Sequence, residues 1–197
     1  MSTMPLFESN TLRLTPVDLD KDPQVIASWT YDLEIARRLR EEPARPMPAF
    51  EVKKVYEGWQ KEASENRQFL FAIRCKESAG PAEPDAIGIF RISYVAWVHG
   101  TAFLDLIIGN PQDWQLYAQE ALDMALRYAF EELGLFRVSV VVAEHDRAAN
   151  DLFEQARFTL EVRQRQALYW NKRTWDKLIF GLLRPEWKLQ KMAEAAL

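Results

Sequence analysis

The sequence predicts an α/β (α+β) chain built on a mixed, mostly antiparallel sheet, with one parallel pair of strands and helices on both faces. Three observations carry that expectation. Ala118, Ala121, Leu122, Ala125, Leu126, Ala129, Phe130 and Leu133 recur at i, i+3, i+4 and i+7, the apolar stripe of an amphipathic helix. A β-like run lies on each side of that helix, Ala102 to Ile108 before it and Phe136 to Val142 after it, so strand, helix and strand make a βαβ unit. The remaining β-like runs follow one another with no long helix between them, as in an antiparallel meander.

Each element has its own reason. Thr11 to Val17 alternates apolar and polar residues and ends beside Pro16, which suits an edge strand. Asp18 to Ser28 and Leu33 to Arg40 read as short helices. Arg45 to Ala49 is a loop by its prolines. Phe50 to Ala63 reads as a helix with Val52, Val55, Tyr56 and Trp59 on one side. Phe69 to Cys75 and Ala86 to Val95 are strands joined by a long Gly/Pro-rich connection, Lys76 to Asp85. The turn at His99-Gly100 leads into Ala102 to Ile108. Asn110-Pro111-Gln112-Asp113 has the form of a helix start, with Asn as N-cap, Pro at N1 and an acid at N3. Trp114, Tyr117 and Ala118 extend the apolar stripe back to it, so the helix is expected to begin near Pro111. Gly134 closes it as a C′ residue. Phe136 to Val142 (FRVSVVV) reads as a strand buried on both faces. Arg147 to Ala156 is a short helix with Ala148, Leu152, Phe153 and Ala156 inward. Thr159 to Tyr169 and Trp175 to Leu183 are strands, and the tail after Pro185 is helical.

Composition narrows the function classes. At 197 residues, with 48% hydrophobic and 27% charged residues, the chain has enough apolar content for a sizeable core, and it reads as one domain over 1–197. A net charge of -4 speaks against nucleic acid as a partner. One cysteine, Cys75, excludes an internal disulfide and fits a cytoplasmic setting. No basic-then-apolar leader and no long apolar run is present, so neither secretion nor a membrane is expected. Two histidines, His99 and His145, together with Cys75 do not supply a spaced zinc set, so no metal is expected.

Taken in order, these segments resemble RimJ/RimL-type members of the GNAT acyltransferase superfamily. Thr11 to Val17 is similar to the family's opening strand. Ala102 to Gly109, followed by Trp114 and Tyr117 to Leu122, resembles the acetyl-CoA strand and helix. Gly134 to Val142 resembles the leucine-glycine turn and next strand. Asp146-Arg147-Ala148 through Glu154 and Phe158 resembles the N-x-R-A…Y-E-K-x-G-F signature, and Gly181-Leu182-Leu183 with Glu186-Trp187 resembles the usual end. The resemblance implies acyl transfer from acetyl-CoA to a small-molecule amine or a protein N-terminus, by a monomer or homodimer. It implies pantetheine beside Ile107 and Ile108, phosphates near Tyr117, Ala118 and Gln119, and Phe153 against the cofactor.

The residues depart from the family where its chemistry sits. The phosphate loop of relatives is glycine-rich; here Trp114-Gln115-Leu116-Tyr117-Ala118-Gln119 holds no glycine. Phe153 stands where relatives carry a tyrosine that protonates the leaving thiolate. His145 stands where the motif has Asn, and Arg157 where it has Gly. Phe103 replaces an often acidic residue, and Asp105, two residues on, points to the same face. Asp105 is the candidate general base, and His145 a candidate polar contact or base. A second reading stays open: a binding or dimerisation module of this fold that no longer catalyses.

Overall fold

The computed structural model describes residues 5–39, 44–64, 67–76 and 84–194. In chain order the elements are β1 (Leu12–Thr15), α1 (Asp22–Trp29), α2 (Leu33–Leu39), α3 (Ala49–Ser64), β2 (Phe69–Cys75), β3 (Ala86–Ala96) and β4 (Thr101–Ile108). Then follow α4 (Pro111–Arg127), a π-helical turn (Tyr128–Glu132), β5 (Arg137–Ala143), α5 (Arg147–Gln155), β6 (Thr159–Trp170), β7 (Arg173–Leu183) and α6 (Arg184–Glu194). The strands form one seven-stranded sheet in the order β1-β2-β3-β4-β5-β7-β6. β4 and β5 are parallel; β1–β2, β2–β3, β5–β7 and β6–β7 are antiparallel. The expected sheet, with its single parallel pair and β1 on an edge, is therefore present. Most of the connection read over Lys76 to Asp85 lies outside the described residues, as does Arg40.

Contacts along the chain divide it into two compact units. The first holds Met1–Ile92 and Leu106–Ala125. Its core gathers Ile26, Trp29, Ile35, Val52, Tyr56 and Ile89 under α1, α2 and α3. One buried ion pair ties its start together. Arg74 of β2 and Asp22 of α1 are 3% and 1% exposed, and Arg74 Nη2 donates to both Asp22 carboxylate oxygens at 2.9 Å. Arg74 also donates to Thr15 Oγ1 (2.9 Å) and to the Pro84 carbonyl (2.8 Å), while Asp22 accepts the Asp18 N–H (2.7 Å). A buried guanidinium needs such complete satisfaction. Asp22 also opens α1, where a carboxylate favours the helix dipole.

The second unit holds Ser93–Asp105 and Leu126–Leu197. Gly134 has φ +64°, and the Leu135 N–H reaches back to the Ala129 carbonyl (3.0 Å), so the expected glycine stop is in place. Gly100 has φ +63°, and its carbonyl accepts the Phe136 and Arg137 N–H groups at 2.7 and 3.0 Å, which pins the start of β5. Trp187 of α6 is buried against Phe130 with ring centroids 5.4 Å apart. β7 begins at Arg173, two residues earlier than the pattern suggested. Asn171 and Lys172, φ 50° and 58°, make a two-residue turn with both residues left-handed, the type that continues strand twist. β5 is buried through Val138, Ser139, Val140 and Val142, but Val141 is 43% exposed. On α5 the inward alanine is Ala149, not Ala148, which is exposed.

Candidate functional site

The β4–β5 ladder is short. It pairs Thr101 with Arg137, Ala102 with Val138 and Phe103 with Ser139, and stops there, although both strands run on. β5 pairs with β7 from Arg137 to Ala143, so the strand itself continues regularly past the end of its parallel ladder. Parallel strands that stop pairing expose main-chain amides and carbonyls to whatever enters.

Asp105 stands two residues past that point. Burial alternates along β4, with Thr101, Phe103 and Asp105 half-buried and Ala102, Leu104 and Leu106 buried, so Asp105 shares a face with Phe103 as its spacing predicted. Tyr94 of β3 meets this face: its φ is 51°, its ring is 81% exposed and lies T-shaped to Phe103 at 6.2 Å. Ser139, opposite Phe103, is 8% exposed and accepts a long hydrogen bond from Arg137 Nε (3.4 Å). A hydroxyl at the ladder end escaped the sequence reading, although one polar residue inside a valine run was the signal for it.

His145 stands elsewhere. It follows β5 by two residues, and Ala143 lies four residues beyond Ser139, roughly 13 Å of strand. Its ring lies flat on Trp170, 4.4 Å between centroids and 14° between planes, and leans on Trp175 at 5.3 Å. Trp175 Nε1 donates to the Trp170 carbonyl (3.2 Å), and the Arg173 guanidinium covers Trp175 at 4.7 Å. The neighbouring Asp146 takes the α5 N-cap, accepting the Ala149 N–H at 3.1 Å. Beside this cluster Arg163 Nη1 donates to Glu144 Oε1 and Asp176 Oδ2, both at 2.8 Å. The Arg163 guanidinium, with the Gln166 N–H, holds the Asp176 carboxyl below its usual range. His145 is thus an aromatic stacking partner at the β6–β7 hairpin, and Asp105 is the acid placed at the ladder end.

The residues expected around the cofactor divide in the same manner. Ile107 and Ile108 are both buried, 4% and 1% exposed, Ile107 in the first unit's core, and the Ile107 carbonyl lies 2.6 Å from where a Cβ on Gly88 would sit. Phe153, 4% exposed, packs edge-on against Phe158 at 5.3 Å inside the second unit. Tyr117 is half-buried, Ala118 buried and Gln119 exposed. All three fall two turns inside α4, where each N–H is spent on a carbonyl four residues back. Their amides are therefore not the phosphate donors that the resemblance implied.

α4 does begin at Pro111, with no irregular backbone through Gln115 to Ala118. Asn110 Oδ1 accepts the Asp113 N–H at 2.8 Å, the Asn110 carbonyl accepts the Trp114 N–H at 3.0 Å, and Asn110 Nδ2 donates to the Asp113 carboxylate. Pro111 has no N–H to offer. The Arg38 guanidinium lies over the Trp114 ring at 4.4 Å. Just before the helix, the Gly109 N–H donates to the Ile87 carbonyl (2.8 Å), and a Cβ on Gly109 would fall within the Trp29 ring. The glycine of this stretch leaves room for an indole ring.

The model of the acetyltransferase (GNAT) domain family matches residues 11–159. An uncharacterized N-acetyltransferase of Bacillus subtilis, YoaA, is 30% identical over 76 residues, 38% of this chain; the chain spans 43% of that relative's length. Among solved structures, spermidine N-acetyltransferase from Vibrio cholerae in complex with CoA and spermine superposes with a TM-score of 0.74 at 21% identity, covering 91% of this chain and 99% of that one. A probable acetyltransferase gives the same TM-score at 18% identity, with 91% and 96% covered.

Proposed function

The chain belongs to the GNAT acetyltransferase family, a family of enzymes, and from that premise we propose that it is an N-acyltransferase. Its donor is an acyl thioester, with acetyl-CoA as the co-substrate, and its acceptor is an amine or a protein N-terminus, as in RimJ/RimL-type members. It works as one domain, as a monomer or homodimer, in the cytoplasm. The observation that carries the reading is the parallel ladder that ends at Phe103 and Ser139 with Asp105 two residues on.

In the reaction the amine nitrogen attacks the thioester carbonyl carbon, a C–N bond forms, the C–S bond breaks, and the sulfur leaves as thiolate. Asp105 takes the proton that the nitrogen must lose. Strand amides beyond the ladder stabilise the developing oxyanion. Phe153 has no proton to give, and a thiolate leaves without one. The proton on Asp105 passes to solvent, and thiolate and amide product depart.

The reading is tested by incubating the protein with acetyl-CoA and a panel of amines, including spermidine, small monoamines and peptides with free N-termini, and reading acetylated product by mass spectrometry. Product above the protein-free control supports it; none across the panel rejects it. One observation favours the second reading, a non-catalytic module: the self-capped start of α4. That module predicts neither product nor thioester binding, so a binding measurement on the same sample separates the two.

A further inference from the structure

We infer that the acyl donor is recognised through its pantetheine arm and not through a diphosphate; this rests on the acyltransferase reading above. The start of a helix after a strand attracts phosphate because its first N–H groups are free and its dipole is positive. In this chain both attractions are weakened. Of the first helical residues, Pro111 has no N–H, and the Asp113 N–H is held by Asn110 Oδ1 at 2.8 Å. The Asp113 carboxylate sits in the first turn, held there by Asn110 Nδ2, so the position a phosphate would approach already carries an anion. Two charges of like sign repel at this range even in a high-dielectric setting.

The approach before the helix is equally occupied. The Gly109 N–H is bonded to the Ile87 carbonyl, and the Trp29 ring packs where a Cβ on Gly109 would stand. Among the described residues the Arg38 guanidinium reaches this turn, where it lies over the Trp114 ring. The first turn of α4 is thus a finished structural cap. The β4–β5 pairing ends at Phe103 and Ser139, and strand amides and carbonyls past that end suit the two amides of pantetheine. The donor class is therefore any acyl thioester with a pantetheine arm, whether or not it carries the nucleotide.

The test is calorimetric titration of the full chain with acetyl-CoA, with S-acetylpantetheine and with ADP. The two thioesters are expected to bind within about threefold of each other, with no heat from millimolar ADP. Acetyl-CoA binding about a hundredfold tighter than S-acetylpantetheine overturns the inference and leaves the acyltransferase reading standing. Failure of both thioesters to bind removes the acyltransferase reading and the inference with it. A double variant, Asn110→Gly with Asp113→Ala, frees the capped N–H and removes the acid. With helicity retained by circular dichroism, it is expected to tighten acetyl-CoA by about tenfold and leave S-acetylpantetheine unchanged. Unchanged acetyl-CoA affinity in that variant overturns the inference.

Discussion

Arg157 occupies the turn after α5 with φ +59°, a conformation that an L-residue with a Cβ holds at a cost of roughly 1–2 kcal/mol. Its side chain is exposed, so no burial offsets that cost. Arg157→Gly is expected to stabilise the protein by about 0.5–1 kcal/mol, after allowing for the greater freedom of glycine in the unfolded chain. Urea unfolding measures it, and a loss of stability would refute the strain. Asp105 carries a prediction of a different kind. Asp105→Asn keeps the volume and removes the base, so turnover should fall by about 10²–10⁴-fold with the unfolding midpoint retained. A fall of less than about tenfold would dismiss Asp105 as the base. The residue scale is also where the sequence was read best for conformation and least for contacts. The left-handed Gly134 and the Asn110 cap follow from local rules that involve a few neighbouring residues. The stacking of His145 on Trp170 joins positions 25 residues apart, and no local rule reaches that far.

Two contacts decide how elements hold together. Arg74 and Asp22 join β2 to α1 in a buried pair, and the same guanidinium also donates to Thr15 and to the Pro84 carbonyl. Asp22→Asn leaves the guanidinium buried without its counter-charge and should cost about 3–5 kcal/mol, read as a lowered denaturation midpoint. A cost under about 1 kcal/mol would show that the pair adds nothing beyond packing. Glu120 of α4 is the second: it accepts the Thr11 N–H at 3.1 Å and the Thr11 hydroxyl at 2.6 Å, fastening the chain just before β1. Partial burial works to raise the Glu120 carboxyl, and hydrogen bonds from Ser9, Thr11 and the Asn10 N–H outweigh it, so the net direction is down from 4.5. A depressed carboxylate stabilises the fold above its unfolded value and loses that stabilisation as pH falls through its folded value. Glu120→Gln should therefore lower stability at neutral pH and flatten the decline below pH 4.5. A decline as steep as in the parent protein would assign the acid sensitivity to other groups. Element types and most bounds were legible in the sequence. The ends shifted where a turn was decisive, as at Asn171-Lys172, or where helical geometry continued as a π turn over Tyr128–Glu132.

At the scale of the whole molecule, family membership and function meet in one measurable quantity. A thioester that binds the native chain stabilises it by mass action, by about 2.7 kcal/mol at a hundredfold excess over Kd, which raises the melting midpoint by roughly 5–10 °C for a chain of this size. No rise with either acetyl-CoA or S-acetylpantetheine would leave a fold without its donor. Membership itself was readable from order alone: strand, helices, meander, βαβ, helix, hairpin. That order is a property of apolar periodicity along the chain, and the sequence determined it together with the early start of α4, since Asn, Pro and an acid at the right spacing cap a helix wherever it goes. What only the tertiary structure decided is which groups are free. That the β4–β5 ladder stops at Phe103 and Ser139 depends on the pairing of strands distant in sequence, and that Gly109 serves Trp29 depends on the packing of α1. Periodicity says which face of a strand or helix is buried; it does not say which partner the fold brings to that face.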